Sequence, residues 1–423
     1  MREWDKVKLS DVSVAIQTGP FGSQLHQSDY SEIGVPVVMP KDIINGVILD
    51  FSIARVEKTH VQRLSRHVIS EGDIIYPRRG DVEKCAYTKQ NQAGWLCGTG
   101  CIRVTIDRKK ASPKYIFYHL QESKTTGWVK NHAVGSTMLN LNTTILSNIP
   151  LSCPPLAIQH RIANILSRYD SLIANYQQQI KLLEEAAQRL YKEWFVDFRF
   201  PGYKNTQIVD GVPKGWAVKT LSQMLSKDIG GGWGKDTPVG SYDIGGYVIR
   251  GTDITQIENG NLNVPYRYHT ASNLKERRLC LGNVIFEVSG GSAKEPVGRT
   301  LFITSDLAMY FGENTICASF CKKMSFESIQ ESILSYISIR YYRKIGYLHK
   351  YEKDSAGKII NYNWTDFLNE FKVLLPDNSL LETISMKFYR IINESSKLRM
   401  QIKLLTEARD RLLPKLMNGE IEV

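Results

Sequence analysis

The sequence predicts a mixed α/β, or α+β, fold: two globular domains separated by two long helices that pair as an antiparallel coiled coil, with an internal pseudo-two-fold repeat. Three observations carry that expectation. The 423 residues exceed one ordinary core, at about 150 residues per domain. The chain is also written twice with a period near half its length, and each copy ends in a long apolar repeat of three-and-four spacing.

The repeat runs through most of the chain. Trp4 is followed by Leu9-Ser10, and Trp216 by Leu221-Ser222 at the same spacing. Gly19-Pro20-Phe21-Gly22 is answered by Gly231-Gly232-Trp233-Gly234. Val37-Val38 with Asp42-Ile43 is answered by Val248-Ile249 with Asp253-Ile254, and Gly72-Asp73-Ile74-Ile75-Tyr76 by Gly282-Asn283-Val284-Ile285-Phe286. Further on, Asn140-Leu141-Asn142 matches Asn361-Tyr362-Asn363. The stretch 179–190 returns as 401–412 with nine identities in twelve positions, beginning Gln-Ile-Lys-Leu-Leu in both. Between these anchors the halves diverge, which suggests one task performed on two different targets.

Residues 1–155 form the first globular domain. Short β-type runs such as Val35–Met39 and Asp73–Tyr76 are punctuated by Gly, Asn and Asp, and Pro113–Gln121 is a candidate helix. Pro154-Pro155 then marks a helix start. From Leu156 to about Phe198 there is neither Gly nor Pro, and Ile162, Ile165, Tyr169, Leu172, Tyr176, Ile180, Leu183, Ala187, Leu190 and Trp194 trace a heptad seam with one stutter. This central spacer helix is placed at 156–200.

The second globular domain follows at 201–375, with a strand at Tyr247–Arg250 and a helix at Phe326–Arg343. A second spacer helix occupies 376–423. Its seam is Leu381, Ile384, Phe388, Ile391, Ser395, Leu398, Ile402, Leu405, Arg409 and Leu412, interrupted only by Ser395 and Arg409. Forty residues at 1.5 Å each make a rod of roughly 60 Å. That is less than two turns of B-DNA, so paired helices would act as a ruler between two half-sites. The alternative is two separate amphipathic helices, each covering its own domain.

Composition narrows the function classes. Hydrophobic residues at 42% and charged residues at 23% describe a globular chain rather than a disordered or collagen-like one. No apolar run approaches a bilayer's thickness and the first residues lack a signal-peptide stretch, so a cytoplasmic location is expected. Seven cysteines, odd in number and thinly spread, do not form a disulfide framework and read as reduced, with Cys97/Cys101 and Cys317/Cys321 as buried structural thiols. Cys97/Cys101 and Cys317/Cys321 lack the companions of a zinc site, and no metal is expected. The net charge of +11 and pI near 9.1 favour a polyanionic partner.

Candidate contacts to nucleic acid follow from that charge. Arg78 and Arg79 leave a strand into a loop with Lys84 beyond, where guanidinium groups suit phosphate or the O6/N7 edge of guanine. The matching loop of the second half carries Lys294 and Arg299. Arg340, Arg343, Lys344 and Lys350 alternate with Tyr336, Tyr341, Tyr342, Tyr347 and Tyr351, a mixture suited to phosphate contact and stacking. Ile180, Leu183, Leu190, Trp194, Ile402, Leu405 and Leu412 are the candidate pairing and partner-docking residues of the helices.

Catalytic motifs are missing from the sequence. Gly230–Lys235 resembles a phosphate loop, but Ile229 and Asp236 stand where the motif needs Gly and Ser or Thr. There is no HExxH, GxSxG or strand-borne GxGxxG. Cys153-Pro154-Pro155-Leu156 lacks both the amide or acid and the aromatic of the amino-methyltransferase motif.

Over essentially its full length the chain resembles the specificity subunits of type I restriction-modification enzymes. The residues carrying the likeness are Trp4 to Leu9, Gly19-Pro20-Phe21-Gly22-Ser23, Gly72 to Gly80, Asn140-Leu141-Asn142, Pro154 to Ile162, Trp194-Phe195-Val196-Asp197-Phe198 and Gly211 to Trp216. The resemblance implies a non-catalytic DNA-binding subunit with two target-recognition domains, each reading half of a bipartite double-stranded sequence. It implies spacer helices that set the gap and dock two methyltransferase subunits, which would bind S-adenosylmethionine; this chain would hold no cofactor itself. Separate motor and nuclease subunits would cleave DNA. The second half departs from the pattern, with Pro376-Asp377-Asn378-Ser379 in place of Pro-Pro-Leu and Glu287-Val288-Ser289 in place of the Arg-Arg segment. Two other readings are a self-contained DNA methyltransferase or nuclease, and a coiled-coil adaptor without DNA binding.

Overall fold

A computed structural model describes residues 4–291, 297–354 and 359–423. The chain divides into two compact units. The first comprises 1–171 with 406–423, and the second 172–405. Each unit therefore includes part of both long helices, Leu156–Tyr191 and Asn378–Met417.

In the first unit an antiparallel sheet has the order Ser13–Thr18, Cys101–Ile106, Ile74–Pro77, Ala86–Tyr87. Beside it, Leu96–Cys97 runs parallel to Val35–Val38, which pairs with Ala54–Val56. Asp5–Lys8 closes the unit against Pro150–Cys153. The alternation of burial along Cys101–Ile106 puts Ile102, Val104 and Ile106 into a core with Tyr115, Leu146, Ile162 and Leu166.

The second unit repeats this plan. Leu225–Gly230, Cys321–Phe326, Val284–Glu287 and Thr300–Phe302 form the antiparallel sheet in corresponding order. Ile316–Cys317 runs parallel to Ile244–Ile249, and Ala217–Thr220 pairs with Lys372–Leu375. Its core is aromatic: Trp194, Phe195, Phe200, Trp216, Phe286, Phe367, Phe371 and Phe388 are all buried.

Two glycines explain why the Gly-rich segment recurs. Gly19 N donates to Cys101 O at 2.8 Å and Gly231 N to Cys321 O at 2.9 Å. A Cβ at Gly19 would run into the Gly98 carbonyl, and one at Gly231 into those of Cys317 and Ala318. Both backbones approach too closely for any side chain. The four cysteines at these crossings are buried and free, and burial lifts the Cys97 and Cys317 thiols to about 12.

Element ends differ from the sequence expectation where a turn or cap intervenes. The strand expected at Tyr247 begins at Ile244, because Gly245 and Gly246 already pair with Tyr268 and Arg267. The helix expected from Phe326 is Ile329–Lys344; Phe326 still belongs to a strand, opposite Leu225, and Ser328 caps the helix by accepting from Glu331 N at 3.2 Å. The first long helix starts where Gln159, itself buried, donates to Pro154 O and accepts from Ser112 N, each at 2.8 Å. Regular helix stops at Tyr191. One widened turn follows, in which Asp197 N donates to Lys192 O, and it carries Trp194 and Phe195 together into the core.

The long helices run antiparallel within each unit. In the first, Ile162, Ala163 and Leu166 share a core with Leu413, Leu416 and Met417, while Arg409 donates to Asp170 at 2.7 Å. In the second, Leu190, Tyr191 and Trp194 pack in one core with Ile384, Phe388 and Ile391, and Arg399 donates to Glu184 at 3.1 Å. No helix of the described residues is long and apolar enough to cross a membrane.

Candidate nucleic-acid interface

Strand Ile74–Pro77 is fully buried, and the chain reaches the surface over the next two residues: Arg78 is half-buried and Arg79 exposed. The backbone here is fixed on two sides. Arg78 N donates to Gly100 O at 2.7 Å, and Leu141 N donates to Arg78 O at 2.8 Å. Arg79 bridges Asn140, and Gly80, at φ +82°, donates to Leu139 O at 3.0 Å. Among the described residues neither guanidinium has a hydrogen-bond or ion-pair partner, so two cations stand on a fixed backbone with their side-chain donors unused. Lys84, by contrast, pairs with Asp81.

A second loop joins this one. Asn140 and Val134 exchange backbone hydrogen bonds of 2.8 and 3.0 Å, and Asn140 Nδ2 donates to Met138 O at 2.9 Å. Gly135, at φ +121°, makes the reversal. Val134 and Met138 remain exposed at its tip. The neighbouring Lys130 donates to Glu83, whose carboxylate raises its pKa.

The basic residues of the second domain divide into two groups. Arg299 faces inward and forms a two-point pair with Glu287, at 2.8 and 2.7 Å. Arg340 pairs with Glu258 and Glu184 beneath the buried Tyr336. Burial opposes ionisation of Glu258, but the Arg340 and Arg399 guanidiniums outweigh it and hold the carboxyl below its usual range. Arg343 donates to Val297 O at 3.2 Å, and burial, with Arg340 nearby, lowers its pKa. These three arginines therefore brace the domain interior. Lys344 is exposed in the last turn of its helix. Lys350, also exposed, donates to Tyr347 Oη at 2.9 Å and lies over the Tyr347 and Tyr351 rings; that hydrogen bond raises its pKa. Lys294 lies outside the described residues.

On the helices, Ile180, Trp194 and Ile402 are buried, and Leu183, Leu190, Leu405 and Leu412 half-buried. Leu172, which the seam would bury, is 39% exposed. Sequence reasoning missed Glu184, Glu258 and Arg399. Glu184 lies off the apolar seam of its helix, yet it joins Arg340 and Arg399 in one charge network. Arg409, an apparent break in the seam, meets Asp170, which also accepts from Tyr118. Among the described residues no group of three or more His, Cys, Asp or Glu side chains is arranged to hold a metal ion.

Comparison with known proteins gives a consistent likeness. Residues 1–185 match the family model described as the type I restriction modification DNA specificity domain. The chain is 25% identical over 439 positions to the type I restriction enzyme MjaIX specificity subunit of Methanocaldococcus jannaschii, covering 100% of this chain and 94% of that one. It is 21% identical to the HindI specificity subunit of Haemophilus influenzae, covering 100% of both. The solved S subunit of a type I restriction-modification system from M. genitalium superposes with a TM-score of 0.57 at 14% identity, over 98% of this chain and 96% of that one. At that identity the superposition speaks for the fold.

Proposed function

We propose, from the premise that the chain belongs to the DNA specificity subunits of type I restriction-modification systems, that each globular domain reads one half of a bipartite double-stranded target while the paired helices set the gap. The chain is the recognition subunit and leaves catalysis to its partners. Such subunits act with DNA and with the other subunits of their systems. For this chain the partners are two methyltransferase subunits that bind S-adenosylmethionine and dock on the helices, together with motor and nuclease subunits, assembled in the cytoplasm.

The observation that carries the reading is the repetition of one sheet order in both units. Two scaffolds of one design with divergent surfaces suit two different half-sites. The free guanidiniums of Arg78 and Arg79 supply the first domain's cationic contact.

The test is to express the chain with its methyltransferase subunits and map the modified adenines across a random-sequence library. The expected motif has two fixed halves of different sequence separated by a constant gap of unspecified bases. An uninterrupted motif, or no sequence-dependent modification, would overturn the two-domain reading.

A further inference from the structure

The two units share one local backbone frame at the exit of the central strand. In the first, Arg78 N donates to Gly100 O and Arg78 O accepts from Leu141 N, at 2.7 and 2.8 Å. In the second, Val288 N donates to Phe320 O and Val288 O accepts from Tyr362 N, at 2.9 and 2.8 Å. The next residue pairs with an asparagine in both, Arg79 with Asn140 and Ser289 with Asn361. A glycine at positive φ follows, Gly80 at +82° and Gly290 at +115°. Hydrogen bond by hydrogen bond, three segments meet in the same way.

The side chains mounted on this frame share no chemistry. Arg78 corresponds to Val288, Arg79 to Ser289 and Gly100 to Phe320. Arg79 is exposed, and Phe320, at the turn between strands Ile316–Cys317 and Cys321–Phe326, is 60% exposed. A lone exposed phenylalanine is ordinary on a protein surface. One placed on a duplicated, hydrogen-bonded frame, whose other copy carries free arginines on the facing segment, is an apolar group on a rigid mount.

Resting on the DNA-recognition reading above, we propose that these two frames are the base-reading heads of the chain. In the first, the Arg78-Arg79 guanidiniums address the O6 and N7 acceptors of a guanine in the major groove. In the second, Phe320 packs against the 5-methyl group of a thymine, a contact that needs no hydrogen bond. The chain then reads one half-site by charged donors and the other by an apolar contact, mounted on facing segments of the same hydrogen-bonded frame. The required motif contains a guanine in one half and a thymine in the other.

The experiment uses the full chain assembled with its methyltransferase subunits and scores the modified motif from a random library. Arg78→Ala with Arg79→Ala should relax discrimination at a guanine of one half-site by about tenfold or more, leaving the other half at wild-type stringency. Phe320→Ala should relax a thymine of the opposite half only, and Phe320→Leu, which keeps an apolar contact, should relax it less. The unaffected half-site reports within the same sample that each variant is folded and assembled. If the wild type yields a bipartite motif and these variants keep both halves unchanged, or relax both halves equally, the base-reading assignment is overturned. If the wild type yields no bipartite motif, it is the underlying reading that fails.

Discussion

His119 lies on the Pro113–Gln121 helix with its ring enclosed, Nδ1 at 3.2 Å from Thr125 Oγ1 and Nε2 accepting from Ser152 N at 3.0 Å. Acceptance at Nε2 requires the neutral ring, and burial lowers the pKa from 6.5 to about 4. An unfolded chain takes up the proton as pH falls through 6.5, whereas the folded chain resists until about 4. Stability is therefore complete above pH 6.5 and is lost as pH falls through that window, by a total of about 3 kcal/mol. His119→Gln, which can still accept from Ser152, should show a smaller fall in urea midpoint between pH 7 and pH 4.5 than the wild type. Equal falls would mean that other groups govern the acid response. Other single residues keep the same post in both halves: Asp42 and Asp253 each accept from a backbone N–H three residues before, at 2.8 and 2.9 Å. Asp73 and Asn283 do likewise, both at 2.8 Å. An oxygen acceptor is what those turns require, and aspartate or asparagine provides one.

Among the elements, the long helices combine apolar packing with charge pairing. Their seams hold Ile162, Trp194, Ile384, Phe388 and Ile402 out of solvent. Arg409 with Asp170 in one unit, and Arg399 with Glu184 in the other, add pairings that depend on register. Removing one heptad from each helix at facing positions shortens both by about 10 Å, equivalent to about three base pairs at roughly 34 Å per turn. The assembled complex should then modify a motif with unchanged halves and a gap shorter by that amount. An unchanged gap would show that the helices do not set it.

For the whole chain, the net charge of +11 is a statement about its partner. Duplex binding should weaken linearly on a log–log scale as salt rises, because each neutralised phosphate releases counterions. Titrating the purified full chain with duplex DNA at several salt concentrations measures the slope, and Arg78→Ala with Arg79→Ala should make it shallower by about one to two if those arginines meet phosphates or the groove. Salt-independent association would instead describe an adaptor that binds only proteins.

The sequence by itself determined the duplication, the two long helices and the Arg78-Arg79 loop, because each leaves a local mark: matched spacing, heptad periodicity, a charged pair following an apolar strand. It could not separate arginines that brace the interior from arginines left unpaired at the surface. Arg299 and Arg340 look as available as Arg79 in a linear reading, and only the fold brings Arg299 to Glu287, 12 positions away, and Arg340 to Glu258, 82 positions away. Nor did any local signal mark Phe320, whose exposure follows from the turn it occupies, or the strand through Gly245-Gly246, whose glycines fit because the Tyr266 ring and the Asn314 carbonyl approach closely there. Periodicity records which face of an element is apolar. Which groups meet across elements is decided by tertiary packing, since a buried charge keeps its position only where the fold supplies the opposite one.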